Sequence, residues 1–189
     1  MNIGDLQLVR VEEDTIINDF SCGDDKGEID LNDFLHSKAK NYRKELLATT
    51  FLLQSDTEII AYFSIFNDTL KVEDSSFISI SSFKKKLKDL VSHKKRHLKS
   101  FPAIKIGRLA VNEAVIGKGI GKKIIGFVID YAIEVNMRCA CKFVTLDAYA
   151  KAIPFYQKLG FQFLTAKDEN CDERQMYLDL TPIINVWSE

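Results

Sequence analysis

Apolar and polar residues alternate along Leu6-Gln7-Leu8-Val9-Arg10-Val11 with a period of two, which predicts a strand with one buried face. After the turn-forming run from Ser21 to Gly27, Leu31, Phe34, Leu35, Ala39, Tyr42 and Leu46 recur at helical spacing. They predict an amphipathic helix from Asp30, its expected cap, to about Leu47. Thr49–Leu53 and Ile59–Phe66, rich in β-branched and aromatic residues, predict a hairpin whose loop is Gln54–Glu58. Helical spacing of Leu87, Leu90, Val91 and Leu98 predicts a helical excursion between about 75 and 100. Ile104–Val111 is the next expected strand, and Ile124, Ile125, Val128, Ile129, Ala132 and Ile133 predict a helix from Ile120 to about Asn136. Then come a short strand at Phe143–Leu146, a helix over Ala150–Leu159 closed by Gly160, and strands at Phe161–Leu164 and Gln175–Leu180. The order β-α-β-β-β-α-β-α-β-β predicts one mixed α/β sheet in a single domain covering residues 1–189.

The sharpest chemical signal lies between the fourth expected strand and its helix, in Gly117-Lys118-Gly119-Ile120-Gly121-Lys122. Glycine lets backbone N–H groups close on an oxyanion, and the helix that follows points its positive end at the same place. A tight turn without a ligand has the same spacing, so the run alone leaves both readings open. A Walker A loop is disfavoured because Gly121-Lys122 is followed by Lys123 instead of Ser or Thr. A dinucleotide fingerprint is disfavoured because Lys122 stands where its third glycine belongs.

Composition narrows the class. With 26 Lys and Arg against 27 Asp and Glu among 189 residues, the formal charge of -1 offers no global attraction to nucleic acid or membrane. Cys22, Cys139, Cys141 and Cys171 lack metal-ligand and disulfide spacing, and no apolar run reaches membrane-span length. A cytoplasmic protein is the expectation.

Gly119-Ile120-Gly121 and the downstream run Ala152-Ile153-Pro154-Phe155-Tyr156-Gln157-Lys158-Leu159-Gly160-Phe161 resemble the two motifs of the GNAT superfamily of N-acetyltransferases. The resemblance implies a mostly antiparallel mixed sheet flanked by helices, with acetyl-CoA as cofactor. The pantetheine would pair with backbone at Leu109, Ala110 and Val111, and the pyrophosphate would rest on Ile116, Gly117, Lys118, Gly119, Ile120, Gly121 and Lys122. Ile116 holds the place of the family's Gln or Arg, which shifts reliance onto backbone N–H groups and Lys122, and Tyr149 replaces a common Asn. The resemblance makes Tyr156 the general acid that protonates the leaving thiolate. A core aromatic is the competing explanation, although adjacent Phe155 and Tyr156 cannot both face one core from a helix. Asp147 and Glu113 fall near the expected site, but the general base stays unassigned.

Asp19-Phe20-Ser21-Cys22-Gly23 with Leu31, Phe34, Leu35, Ala39 and Thr50 resembles, more loosely, the subgroup holding toxins of bacterial toxin–antitoxin pairs, which acetylate charged tRNA. The expected activity is acetyl transfer to a primary amine in a ternary complex. A tRNA-acetylating toxin and a non-catalytic CoA-binding module are the alternatives. Eight Lys or Arg between Lys84 and Lys99, against the single acid Asp89, suit RNA or an acidic partner, or a solvated helix face. His93 and His97 are read as part of that face and no metal is expected. Cys139 and Cys141 are read as buried neighbours on one side of a strand. A homodimer is the other assembly kept in view, and no membrane partner is expected.

Overall fold

The computed structural model describes residues 6–17, 19–73, 78–90 and 99–187. Its strands are β1 (Gln7–Arg10), β2 (Thr49–Gln54), β3 (Ile59–Lys71), β4 (Ser100–Val111), β5 (Phe143–Tyr149), β6 (Gln162–Phe163) and β7 (Glu173–Asp179). They form a seven-stranded sheet in the order β1-β2-β3-β4-β5-β7-β6. The pairings β1–β2, β2–β3, β5–β7 and β6–β7 are antiparallel. The helices are α1 (Lys26–Asp33), α2 (Ala39–Lys44), α3 (Ile80–Leu90), α4 (Ile120–Asn136), α5 (Ile153–Lys158) and α6 (Thr181–Trp187). The chain divides into two compact units, residues 1–66 with 106–128 and residues 67–105 with 129–189.

In the first unit the expected helix starts earlier than Asp30. Asp25 is its N-cap, and Glu28 reaches back to accept the Asp25 N–H at 3.0 Å, a capping box that engages donors Asp30 cannot reach. Between α1 and α2 the turns widen into a π segment, Phe34–Lys38, closed by the Ala39 N–H donating to the Phe34 carbonyl. The widening brings Phe34, Leu35 and Ala39 together in a core with Val11, Phe20, Cys22, Leu52, Ile59, Tyr62 and Ala110. Tyr62 lies under Phe34 with ring centroids 6.3 Å apart and donates to the Leu31 carbonyl at 2.7 Å, which satisfies its buried hydroxyl. Burial pushes the pKa of that hydroxyl far above the ordinary tyrosine range.

The second unit is built on Leu70, Val72, Leu90, Phe101, Ala103, Phe143, Leu164 and Tyr177. The excursion between 75 and 100 contains α3, while His93, His97 and the rest of 91–98 lie outside the described residues. Cys139 and Cys141 are not strand neighbours: Cys139 is exposed in the turn after α4, and Cys141 is buried ahead of β5. Both amide groups of Asn136 bridge the Cys141 backbone, a bond pattern that ends the helix and occupies the groups a strand ladder would use. Burial also raises the Cys141 pKa, consistent with a packed thiol and not a reactive one.

Candidate functional site

The glycine run belongs to the first unit, at the end of β4. Asn112 holds the approach: its N–H donates to the Ile60 carbonyl at 2.9 Å, its amide to the Ile59 carbonyl at 3.3 Å, and its side-chain oxygen accepts the Ala114 N–H at 3.0 Å. A single 3-10 turn over Glu113–Val115 follows, anchored by buried Val115. Gly117 and Gly119 then take φ of +83° and +79°, a region costly to residues with a Cβ. A Cβ at either would meet nothing within 4 Å, so backbone conformation and not packing requires glycine there. The space in front of both is open.

Helix α4 begins at Ile120, whose side chain is buried. Its first turn contains Lys122 and Lys123 and no acid. Lysines at the positive end of a helix dipole are unfavourable by about 0.3–1 kcal/mol each, a cost that an anion at the same end offsets. Buried Ile124, Ile125, Val128 and Ala132 hold the helix in place, at about 1.5–3 kcal/mol for each large side chain. The backbone donors therefore sit on a rigid element. These features fit a diphosphate: an open two-glycine turn, a helix N-terminus, and Lys118, Lys122 and Lys123 exposed around it. Ile116, in the place of the family's polar residue, is 62% exposed and adds no polar contact. Along β4, Ala110 is buried while Leu109 and Val111 are half-buried.

Tyr156 belongs to the second unit, on α5, whose start is set by Pro154 and whose end is turned by Gly160 at φ +90°. The ring is 8% exposed and packs edge-on against Phe155 and Phe161, with centroids 5.0 and 5.5 Å away. Phe155 is only half-buried, so the two neighbours differ in burial although their rings touch. Burial pushes the Tyr156 pKa up to about 12, and its hydroxyl has no hydrogen-bond partner among the described residues. It is thus a protonated donor across the neutral range.

The two acids singled out in the sequence differ. Asp147 on β5 pairs with Lys105 of β4 at 2.5 Å, which engages its carboxylate, whereas Glu113 is exposed in the 3-10 turn. Asp24, Asp25 and Glu28 bring carboxylate oxygens within 4.8 Å of one another, an arrangement that the capping box explains. In the basic stretch, Lys84, Lys85 and Lys88 are exposed, while Lys86 donates to the Phe163 carbonyl at 3.0 Å and lies 4.4 Å over the Tyr177 ring. Burial lowers the Lys86 pKa. Lys85, Lys86, Phe163 and Arg174 line an open cleft of about 450 Å³.

One residue of the first unit escaped the sequence reading. Arg108 stands between Ile106 and Ala110 on β4, so strand alternation turns a charge toward the buried side of the sheet. That alternation was the available signal. Its guanidinium lies 5.3 Å over the Phe34 ring, Nη1 donates to the Gly107 carbonyl at 2.8 Å, and Nη2 is 3.3 Å from Asp30. Nε is buried without a partner among the described residues.

A strand, a two-glycine turn and a lysine-headed helix form an open, electropositive β–α turn within a mixed α/β sheet. The sequence model of the acetyltransferase (GNAT) family matches residues 24–161, and the chain belongs to that family. It is an acetyl-CoA-dependent N-acetyltransferase. No curated protein matches the chain by sequence. Among solved structures, a bacterial toxin superposes with a TM-score of 0.77 at 16% identity, over 97% of this chain and 96% of its own. The AtaT toxin in complex with acetyl-methionyl-tRNAfMet gives a TM-score of 0.73 at 19% identity, over 97% and 99%. The AtaTR complex bound with acetyl-CoA gives 0.73 at 20% identity, again over 97% and 99%. Similarity at this level of identity concerns the fold. No helix among the described residues is long and apolar enough to cross a membrane.

Proposed function

We propose that this chain transfers the acetyl group of acetyl-CoA to a primary amine by direct attack in a ternary complex, with Tyr156 as general acid and residues 1–189 acting as one domain. The observation that carries the reading is the cradle: Gly117 and Gly119 at positive φ, open in front, at the head of a helix whose first turn has lysines and no acid. Backbone N–H groups of Gly117, Gly119, Ile120 and Gly121 hold the diphosphate, the Lys118 N–H being given to the Val115 carbonyl. Lys122 screens it, and the β4 backbone from Leu109 to Val111 pairs with the pantetheine. When bound, acetyl-CoA supplies an acetyl group activated as a thioester.

Tyr156 supports thiolate departure. A CoA-like thiol has a pKa of roughly 8.5, so unassisted departure is sluggish at neutral pH. A phenol at about 12 is a weaker acid than that thiol, so the hydroxyl acts first as a hydrogen-bond donor to the charge growing on sulfur. Loss of the proton from the attacking amine then completes the exchange. An α-amine is roughly 10% neutral at pH 7 and a lysine side chain about 0.04%, so an α-amine acceptor can rely on water as base. Asp147, paired with Lys105, is a poor candidate for that role.

A second reading, a toxin that acetylates the amino acid of charged tRNA, is favoured by one observation. The likeness to AtaT in complex with acetyl-methionyl-tRNAfMet extends over nearly the full length of both chains. The exposed Lys84, Lys85 and Lys88 offer phosphate contacts to an RNA. Thiol release from acetyl-CoA, measured with a panel of amines and with charged tRNAs, tests both readings. Release with any amine supports the transferase. Release confined to charged tRNA, with acetyl-CoA-dependent arrest of cell-free translation, supports the toxin, and CoA binding without release from any acceptor overturns both.

A further inference from the structure

We infer that Arg108 is an acceptor-binding residue, which recognises an oxyanion carried by the amine substrate. The inference deepens the proposed transferase reading and rests on it for the word acceptor, while the anion site itself stands on the geometry of Arg108.

An arginine offers five N–H donors in a planar fork. Here one Nη1 donor meets the Gly107 carbonyl and one Nη2 donor faces Asp30 at 3.3 Å, while Nε–H is buried and, among the described residues, unpaired. Three of the five donors therefore lack an acceptor among the described residues. An arginine kept only to anchor α1 would be expected to satisfy its buried donors, since buried polar groups are nearly always hydrogen-bonded. The Asp30 contact is long for a charge-assisted bond, which usually falls at about 2.7–2.9 Å. It uses one carboxylate oxygen where the side-on fork of Nε and Nη2 accepts two. Asp30, with a side chain 42% exposed, thus acts as a placeholder that a bidentate oxyanion can displace. The Phe34 face beneath the guanidinium holds the planar fork in position while the ligand exchanges.

Arg108 is also well placed along the chain. It immediately precedes Leu109–Val111, the β4 segment given to the pantetheine, at a strand rise of about 3.3 Å per residue. Its side chain lies on the same strand face as Ala110, next to the α1 and π-segment core. Phosphate and carboxylate share the required chemistry, and the experiment separates them.

The binding arm uses Gly119→Asp, whose closed cradle removes the other anion site, and titrates inorganic phosphate and, separately, acetate by calorimetry. On that background Arg108→Gln should weaken binding at least tenfold and Asp30→Asn should tighten it several-fold. Phosphate bound much better than acetate assigns a phosphate-bearing acceptor, and the reverse a carboxylate. The kinetic arm compares methionyl-tRNA, methionine and methioninamide, which offer the same α-amine with phosphates, with a carboxylate and with neither. In Arg108→Gln the ratio of kcat/KM for the anionic over the neutral acceptor should collapse toward one, with Arg108→Lys in between and the acetyl-CoA thermal shift retained. If Arg108→Gln does not fold, Asp30→Asn decides. A lower melting temperature with no gain in anion affinity means that the pair only anchors α1 and overturns the inference. Failure of acetyl-CoA to bind wild type refutes the transferase reading instead and leaves the binding arm able to decide Arg108.

Discussion

Replacing Gly119 by Asp and by Ala separates what the cradle does for folding from what it does for the cofactor. Both variants put a Cβ on a backbone at φ +79°, which costs about 1–2 kcal/mol for an L-residue. No atom lies within 4 Å of that Cβ, so no steric term is added and both variants should fold. Without cofactor, Asp should be the more stable of the two, because Asp tolerates this conformation better and its charge at the head of α4 contributes about 0.3–1 kcal/mol. With acetyl-CoA the order should reverse. A ligand at 100 times its dissociation constant contributes about 2.7 kcal/mol, and at roughly 2–4 °C per kcal/mol in a chain of this size wild type should gain about 5–11 °C. A carboxylate about 5 Å from one phosphate charge is repelled by roughly 3 kcal/mol at an effective dielectric of about 20, enough to cancel the whole shift. Calorimetric melting with and without acetyl-CoA reads both orders in one experiment. A wild-type shift in Gly119→Asp would refute the placement of the diphosphate, and equal loss in both variants would show that bulk, not charge, closes the site.

Tyr156→Phe should lower kcat by about 10²–10⁴-fold, roughly 3–5 kcal/mol, at an unchanged melting temperature; a loss under threefold while chemistry limits the rate removes Tyr156 as the acid. Because burial raises the folded pKa of Tyr156 to about 12, above the unfolded value of about 10, its contribution to stability is full below pH 10 and should fade between about pH 10 and 12. Alkaline melts of the Phe variant should therefore show a shallower slope, the remainder coming from Tyr62 and Tyr177, whose pKa burial raises too. Gly126→Ala, inside α4 with open space at its Cβ, should raise the melting temperature by about 2–4 °C through roughly 0.8–1 kcal/mol of helix propensity. Leu46→Gly should also stabilise, by about 0.5–1 kcal/mol in chemical denaturation. Leu46 is 84% exposed at φ +59° in the left-handed position of the α2 end, where its N–H donates to Arg43 and that of Leu47 to Tyr42.

The catalytic framework was legible wherever local interactions decide conformation. Helix α4 runs from Ile120 to Asn136 as its apolar spacing predicts, because a 3.6-residue period on a 17-residue segment leaves one way to bury Ile124, Ile125, Val128 and Ala132. The glycine run was readable because glycine is nearly obligatory at the φ values that Gly117 and Gly119 adopt. The loop between β2 and β3, and the cap at Gly160, follow from turn chemistry in the same way.

Strand length was not local. β3 extends to Lys71 and β4 begins at Ser100, past the apolar alternation, and Val72 N–H bonds to the Lys99 carbonyl at the end of that stretch. A strand ends where its partner stops offering hydrogen bonds, and the partner lies far away in sequence. For the same reason the π segment, α6 and the place of Cys139 and Cys141 outside any strand were not readable beforehand. Arg108 and Asp30 make the point for the site, since 78 positions of chain separate them and only the tertiary fold sets one against the other. The amino-acid sequence determined the two-glycine turn and the family. Tertiary structure decided which charges face each other, because the sheet, and not the neighbouring residue, sets the distance between them.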